Sequence, residues 1–368
     1  MKAMFLSGWA LGAMTTLLLC GPMRCQAQIG LQEQPDRTLD AATRTGVIEG
    51  VLQKLKEGYV FPEVAGKMEA AIHARMKKGE YDNVTRAKAL ASTLTANLQE
   101  VCHDKHLRVF YSYQPLPEEK PDAPSAEAEK RFWQIAAAHN FEFEKVERMN
   151  GNVGYLKFNA FVPPDMAGET AAAAMNFLSN TNALIIDLRE NHGGEPDMIA
   201  LLCSYLFGPE PVHLNDIYWR PDNSTRQFWT LAYVPGKRYG DKPVYVLTSK
   251  HTFSGAEEFT YDLKNLKRAT IIGETTGGGA NPGGPQRIDA HFSVFVPMGR
   301  AINPYTHTNW EGAGVKPDIE VPADQALNRA YLLALKDLAA KSTDDGQKEE
   351  LQRAIEKAQK GSEATAKK

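Results

Sequence analysis

The chain has 368 residues, 43% hydrophobic and 24% charged, which is enough for one large core and a smaller domain. Its 42 Lys and Arg against 45 Asp and Glu leave a formal charge of −3, so charge points to neither nucleic acid nor an anionic membrane as partner.

Residues 1–27 read as a signal peptide. Met1-Lys2 is a minimal basic start, Ala3 to Cys20 carries no charge, and Cys25-Gln26-Ala27 offers small residues for cleavage near Ala27. A retained anchor is the alternative, because an uncharged run of about 18 residues borders on spanning length. A lipoprotein signal at Cys20 is disfavoured by the bulky Leu19 before it. The expectation is an exported protein, periplasmic or secreted, with no stable membrane span after cleavage. Cleavage leaves two of four cysteines, Cys102 and Cys203. Pairing needs their Cα atoms within about 7 Å, which sequence does not decide; two isolated buried thiols are the preferred reading.

Residues 28–113 read as a small helical domain. After a polar lead-in, Val47, Ile48, Val51, Leu52 and Leu55 recur at helical spacing, as do Ala70-Ala71-Ile72 and Leu90 to Leu98, with Tyr59-Val60-Phe61-Pro62 as a break. Alternation after His106 predicts a strand ending near Tyr113. Residues 114–147 read as a Pro-, Glu-, Lys- and Ala-rich linker followed by a short helix from Phe132 to His139.

Residues 148–325 alternate strand and helix. Asn152 to Phe158, Ala183 to Leu188, Asp241 to Thr248 and Ala269 to Ile272 predict strands; Glu169 to Ser179, Asp197 to Phe207 and Ser254 to Leu266 predict helices. The fold class is α/β (α+β layered) with much parallel pairing. Residues 288–302 suggest a hairpin turning near Pro297-Met298-Gly299-Arg300, and residues 326–368 a helix with a charged tail.

Four stretches of the core carry chemical possibilities. Val244 to Leu247 leads through a polar turn to Ser254-Gly255-Ala256-Glu257-Glu258-Phe259. A serine at a strand-to-helix switch faces first-turn N–H groups that favour an anion, as an acyl-transfer nucleophile requires; on this stretch alone a plain helix N-cap is the preferred reading, because serine caps are common. Asp187-Leu188-Arg189-Glu190-Asn191-His192-Gly193-Gly194 also follows a strand, and its paired glycines suit either an oxyanion hole or a tight turn. Glu274 to Ala280 is glycine-rich but lacks the Gly-Lys-Ser/Thr ending of a phosphate loop, which argues against a nucleotide. Trp310 to Asp318 is a glycine-rich turn carrying Glu311, either a loop or a carboxylate that orients a base. In the helical domain, His103-Asp104-Lys105-His106 has no third ligand cluster, so no metal is expected.

Taken together and in order, Asp104-x-His106, Ile186-Asp187-Leu188-Arg189-x-Asn191-x-Gly193-Gly194, Thr248-Ser249 with Thr252 to Glu257, Gly273-Glu274-x-Thr276 and Gly312 to Asp318 resemble the C-terminal-processing (tail-specific) serine peptidase family. That family includes the tricorn core and the repeats of interphotoreceptor retinoid-binding protein. The resemblance covers about residues 45–325. It implies a crotonase/ClpP-like core with a small N-terminal helical domain, Ser254 as nucleophile, and an oxyanion hole made by Gly255 with Gly193 or Gly194. The chain departs from the bacterial tail-specific members in two ways. Gly279 stands where they carry the lysine of a Ser–Lys dyad, and the interval from His106 to Val153 is roughly half of what an intervening PDZ domain needs. The tricorn-like branch instead implies His106 as base and Glu311 as its orienting carboxylate, with Asp104 in the orienting shell. The implied function is a serine-type endopeptidase acting on peptides or unfolded proteins, without cofactor. The alternative is a non-catalytic retinoid-, fatty-acid- or peptide-binding protein on the same fold.

Overall fold

The structure is a computed structural model that describes residues 34–118 and 126–366. The expected signal peptide lies outside the described residues. Among those described, no helix is long and apolar enough to cross a membrane.

The chain divides into two compact units. The first comprises the described residues up to 132 together with two later segments, 217–226 and 281–301. Its helices are Ala41–Gly58, Pro62–Lys77 and Ala87–Cys102. The first starts where the Asp40 carboxylate accepts the Thr43 N–H at 2.7 Å, and the second has proline in its first turn, where no intrahelical N–H is needed. The third ends at His103 in the left-handed region, φ 56°. Val47, Ile48, Val51, Leu52 and Leu55, the stripe legible in the sequence, are buried. They share a core with Leu107, Val109, Phe292, Val294 and Val296. The last three come from the strand Phe292–Pro297, which lies antiparallel between Arg108–Tyr111 and Gly283–Arg287.

The turn of that hairpin falls at residues 288–291, where the Asp289 carboxylate accepts the N–H groups of His291 and Phe292 at 2.7 and 2.8 Å. The sequence placed it at 297–300. An Asx-type turn outcompetes the Pro-Met-Gly-Arg stretch, and Gly299–Ile302 joins a different three-stranded sheet with His213–Trp219 and Ser224–Trp229.

The second unit comprises residues 133–216, 227–280 and 302–368. A six-stranded sheet runs in the order Ile319–Glu320, Thr270–Gly273, Val244–Thr248, Ala183–Asp187, Val153–Phe158, Phe143–Met149. All neighbours are parallel except the last pair. The two central strands, Ala-Leu-Ile-Ile-Asp and Val-Tyr-Val-Leu-Thr, are buried at every position, as strands covered on both faces are. On one face Tyr155, Ile185, Tyr245 and Leu247 pack against Ala326, Ala330, Ala334 and Leu335 of the helix Ala323–Lys341. The predicted C-terminal helix is two, broken at Ser342 before Asp345–Ala366. The strand Phe143–Met149 begins inside the expected linker, because its Glu144, Lys145 and Glu147 look like solvated loop; they are the charges of a sheet edge.

Parallel pairing sets the functional geography. Asp187 is in register with Leu247, so the loops that leave the carboxyl ends of these two strands emerge side by side.

Candidate active site

The loop after the first central strand is fixed from both sides. Arg189 grips Asp187 with Nε to Oδ1 at 2.9 Å and Nη2 to Oδ2 at 2.6 Å, while the Tyr155 hydroxyl donates to Oδ2 at 2.7 Å. Burial raises the Asp187 carboxyl, but the Arg189 guanidinium and the Tyr155 hydroxyl outweigh it and hold the group below its usual range. Asn191 then ties the loop down: its Nδ2 donates to Phe158 O at 2.9 Å and its Oδ1 accepts the Gly193 N–H at 2.8 Å.

The loop after the second central strand is bound to the first. The Ser249 hydroxyl donates to Arg189 O at 2.5 Å, the Thr252 hydroxyl to Leu188 O at 2.8 Å, and the Phe253 N–H to Asn191 O at 3.1 Å. These Ser and Thr residues, which look like ordinary turn residues in sequence, therefore deliver the chain to Ser254 on a fixed path.

Ser254 is half-buried and sits at φ 54°, ψ −123°, a strained conformation for a residue with a Cβ. It occupies the N-cap position of the helix Gly255–Asn265. A Cβ placed on Gly193 would lie 2.5 Å from Gly255 N and 2.8 Å from Ser254 Cβ; one placed on Gly255 would lie 3.0 Å from Gly194 N. Gly193 thus lies against Ser254 and Gly194 against Gly255, the residue after it, with φ 96° at Gly193 and 138° at Gly194. Their amides differ. Gly193 N–H is given to Asn191, whereas the N–H groups of Gly194 and Gly255 make no hydrogen bond among the described residues.

Glu257 was not singled out as a site residue from sequence. It is fully buried, and its carboxylate accepts the Ser254 N–H at 2.9 Å, the Thr276 hydroxyl at 2.5 Å, and the Gly278 and Gly279 N–H groups at 2.6 and 2.8 Å. Burial pushes this carboxyl up to about 7, against the opposing pull of those four donors. The Ser-x-x-Glu spacing, a capping box, is the signal that marks it. Beyond that loop, Ala280 N–H donates to the Glu311 carboxylate at 2.5 Å, and the Trp310 indole donates to Gly279 O at 2.6 Å.

The other two expected site residues belong to the first unit. The Asp104 carboxylate accepts the His106 N–H at 2.9 Å, the Asn281 amide at 2.9 Å and the Tyr59 hydroxyl at 3.3 Å. The His106 ring stacks on Phe295 with centroids 6.0 Å apart, and its Nδ1 stands 3.9 Å from Asp104 Oδ1, an electrostatic neighbour beyond hydrogen-bond range. Burial lowers the imidazole pKa; Asp104 opposes the shift and Arg108 adds to it. Cys102 and Cys203 are both free thiols.

The second unit is thus an α/β layer that carries a strained serine at the carboxyl end of its parallel sheet, next to glycine amides that make no hydrogen bond among the described residues. Residues 152–321 match peptidase family S41, and residues 39–139 match the N-terminal domain of peptidase S41 in eukaryotic IRBP. The chain belongs to peptidase family S41. It is 28% identical over 194 residues to the chloroplastic carboxyl-terminal-processing peptidase 2 of Arabidopsis thaliana, covering 51% of this chain and 36% of that protein. It is 26% identical over 216 residues to the tricorn protease of Thermoplasma volcanium, covering 52% of this chain and 18% of that one. The chain therefore spans well under two thirds of the length of these relatives. A crystal structure from Parabacteroides merdae, named as a candidate peptidase, superposes with a TM-score of 0.55 at 16% identity, covering 79% of this chain and 96% of that one, which shows a shared fold.

Proposed function

We propose that the protein is a serine-type peptidase that hydrolyses peptide bonds through an acyl-enzyme at Ser254. The observation that carries this reading is Ser254 held at φ 54° beside the undonated N–H groups of Gly194 and Gly255. In the proposed reaction Ser254 Oγ attacks the scissile carbonyl carbon while His106 takes the hydroxyl proton. The oxyanion lies between the Gly255 and Gly194 amides, at the positive end of the helix dipole. His106 then protonates the leaving amine as the C–N bond breaks, and water releases the acyl group by the reverse sequence. An imidazole whose pKa burial has lowered is neutral through the physiological range, as a general base must be. Glu311 orients the imidazole in this reading, and Asp104, gripped by Tyr59 and Asn281, fixes the backbone of the segment that carries it. We further propose a peptide or unfolded-protein substrate and an exported protein cleaved near Ala27, which N-terminal sequencing of the secreted product tests.

The deciding experiment is turnover of a fluorescently labelled unfolded protein, together with labelling by a fluorophosphonate, in wild type, Ser254→Ala and His106→Gln. Wild type is expected to turn over and label. Ser254→Ala should lose both, and His106→Gln should fall by about 10²–10⁴-fold. Full hydrolysis by Ser254→Ala overturns the proposal. A protein that never labels but copurifies with a lipid or peptide is a carrier.

A further inference from the structure

The glycine run 277–279 looks in sequence like a cradle for a phosphate, and the loop lacks the residues a phosphate site needs. Its amides nevertheless hold an anion, one that belongs to the chain itself. Gly278 and Gly279 both point their N–H groups at the Glu257 carboxylate, and Thr276 adds its hydroxyl. The fourth donor is the Ser254 N–H. One buried carboxylate thereby joins Ser254 to the 276–279 segment, 22 to 25 residues further along the chain, with each oxygen accepting two donors.

The glycines are required for this. Gly278 has φ 81°, and a Cβ there would meet the Gly312 carbonyl carbon at 3.0 Å; a Cβ on Gly277 would meet the Phe253 ring at 2.7 Å. The residue after the run, Ala280, gives its N–H to Glu311, and Gly312 N–H returns to Gly278 O at 3.1 Å. A continuous hydrogen-bonded path therefore runs from the Ser254 backbone through Glu257 and the 276–280 loop to Glu311.

We infer that Glu257 is a positioning residue: it locks the strained backbone of Ser254 to the glycine loop and, through that loop, to Glu311. The inference rests on the proposed hydrolase reading. Ser254 cannot keep φ 54° unless its surroundings over-determine it, and the Glu257 bond to its N–H is the side-chain interaction that does so. A displacement of about 1 Å at a nucleophile costs on the order of 10²-fold in rate, so the clamp should act on kcat far more than on KM.

Three measurements test it. In wild type, native-state hydrogen exchange should show the Gly278 and Gly279 amides protected to the same degree as the Ser254 amide; exchange at unprotected-loop rates overturns the inference whether or not the protein is a hydrolase. In Glu257→Gln, which keeps the shape but replaces two acceptor positions by an NH₂ group, all three amides should exchange faster. Its kcat should fall about 10²-fold with KM within threefold. Glu257→Asp keeps the charge but is one methylene too short to reach both segments, and it should lose kcat in the same way; it also serves as the readout if the glutamine variant does not fold. If both variants keep kcat within threefold of wild type, Glu257 is merely structural and the inference fails. If wild type neither turns over substrate nor takes the fluorophosphonate, the hydrolase reading fails first and the positioning role goes with it.

Discussion

Gly193→Ala gives the sharpest test of the arrangement around Ser254. The new methyl would fall 2.5 Å from Gly255 N, 2.8 Å from Phe253 O and 2.8 Å from Ser254 Cβ, distances that Cβ atoms do not tolerate. Two of these three neighbours are backbone atoms, so no side-chain rotation relieves the clash. The residue would also have to hold φ 96° with a Cβ, which costs about 1–3 kcal/mol of stability. The chain must move Gly255 N–H away from its present position. If that amide is an oxyanion donor, its loss costs about 2.7–4 kcal/mol of barrier, or roughly 10²–10³ in kcat. Gly208→Ala is the matched control, because a Cβ there meets nothing within 4 Å. Steady-state hydrolysis and a thermal melt on both variants separate the effects: strain alone lowers the melting temperature by a few degrees, while the donor loss appears only in kcat. A Gly193→Ala enzyme that melts lower yet keeps kcat within threefold of wild type would refute the assignment of Gly255 to the oxyanion.

Other expectations follow from buried charge. Glu258 is buried on the same helix, and burial, with Asp197 and Glu195 adding, pushes its carboxyl up to about 8. The unfolded chain releases that proton near the ordinary glutamate value and the folded one only near 8. Glu258 therefore contributes stability that is lost between about pH 4.5 and 8, by up to about 1.4 kcal/mol per pH unit, beside the losses from the likewise raised Glu257 and Asp262 carboxyls; Glu258→Gln should make the fall shallower in denaturant titrations, and an unchanged slope counts against it. Arg189→Met leaves the Asp187 carboxylate buried without its main partner and should cost about 3–5 kcal/mol of unfolding free energy; a loss under 1 kcal/mol in urea would show that the pair is dispensable. Cys102, whose thiol burial pushes up to about 11, and Cys203, fully buried, should resist a thiol reagent in the native state. Peptide mapping after unfolding without reductant should find both as thiols, and a disulfide linking them would contradict the structure.

What could be read from the sequence was whatever depends on local pattern. Ala183 to Leu188 and Asp241 to Thr248 announced themselves because strands covered on both faces are unbroken apolar runs, and Val47 to Leu55 because one helical face is buried. Ser254 and the loop 187–194 stood out by residue type at strand ends. The illegible parts are long-range. Nothing local says that Arg108 pairs with Phe295, or that residues 281–301 belong with the N-terminal helices. The choice between Gly193 and Gly194 turns on the Asn191 side chain, which the sequence shows only as one more polar residue in a turn. Glu257 carried a visible capping spacing, but its partners at 276–279 come from another loop.

The strand Phe292–Pro297 has a consequence for how the chain is made. The helices between Ala41 and Cys102 bury their apolar faces partly on Val294 and Val296, and those residues are synthesised about 190 positions after Cys102. At roughly 5–20 residues per second the nascent helices wait on the order of 10–40 s for their last packing partner. During that interval their greasy side is open to chaperones and to one another.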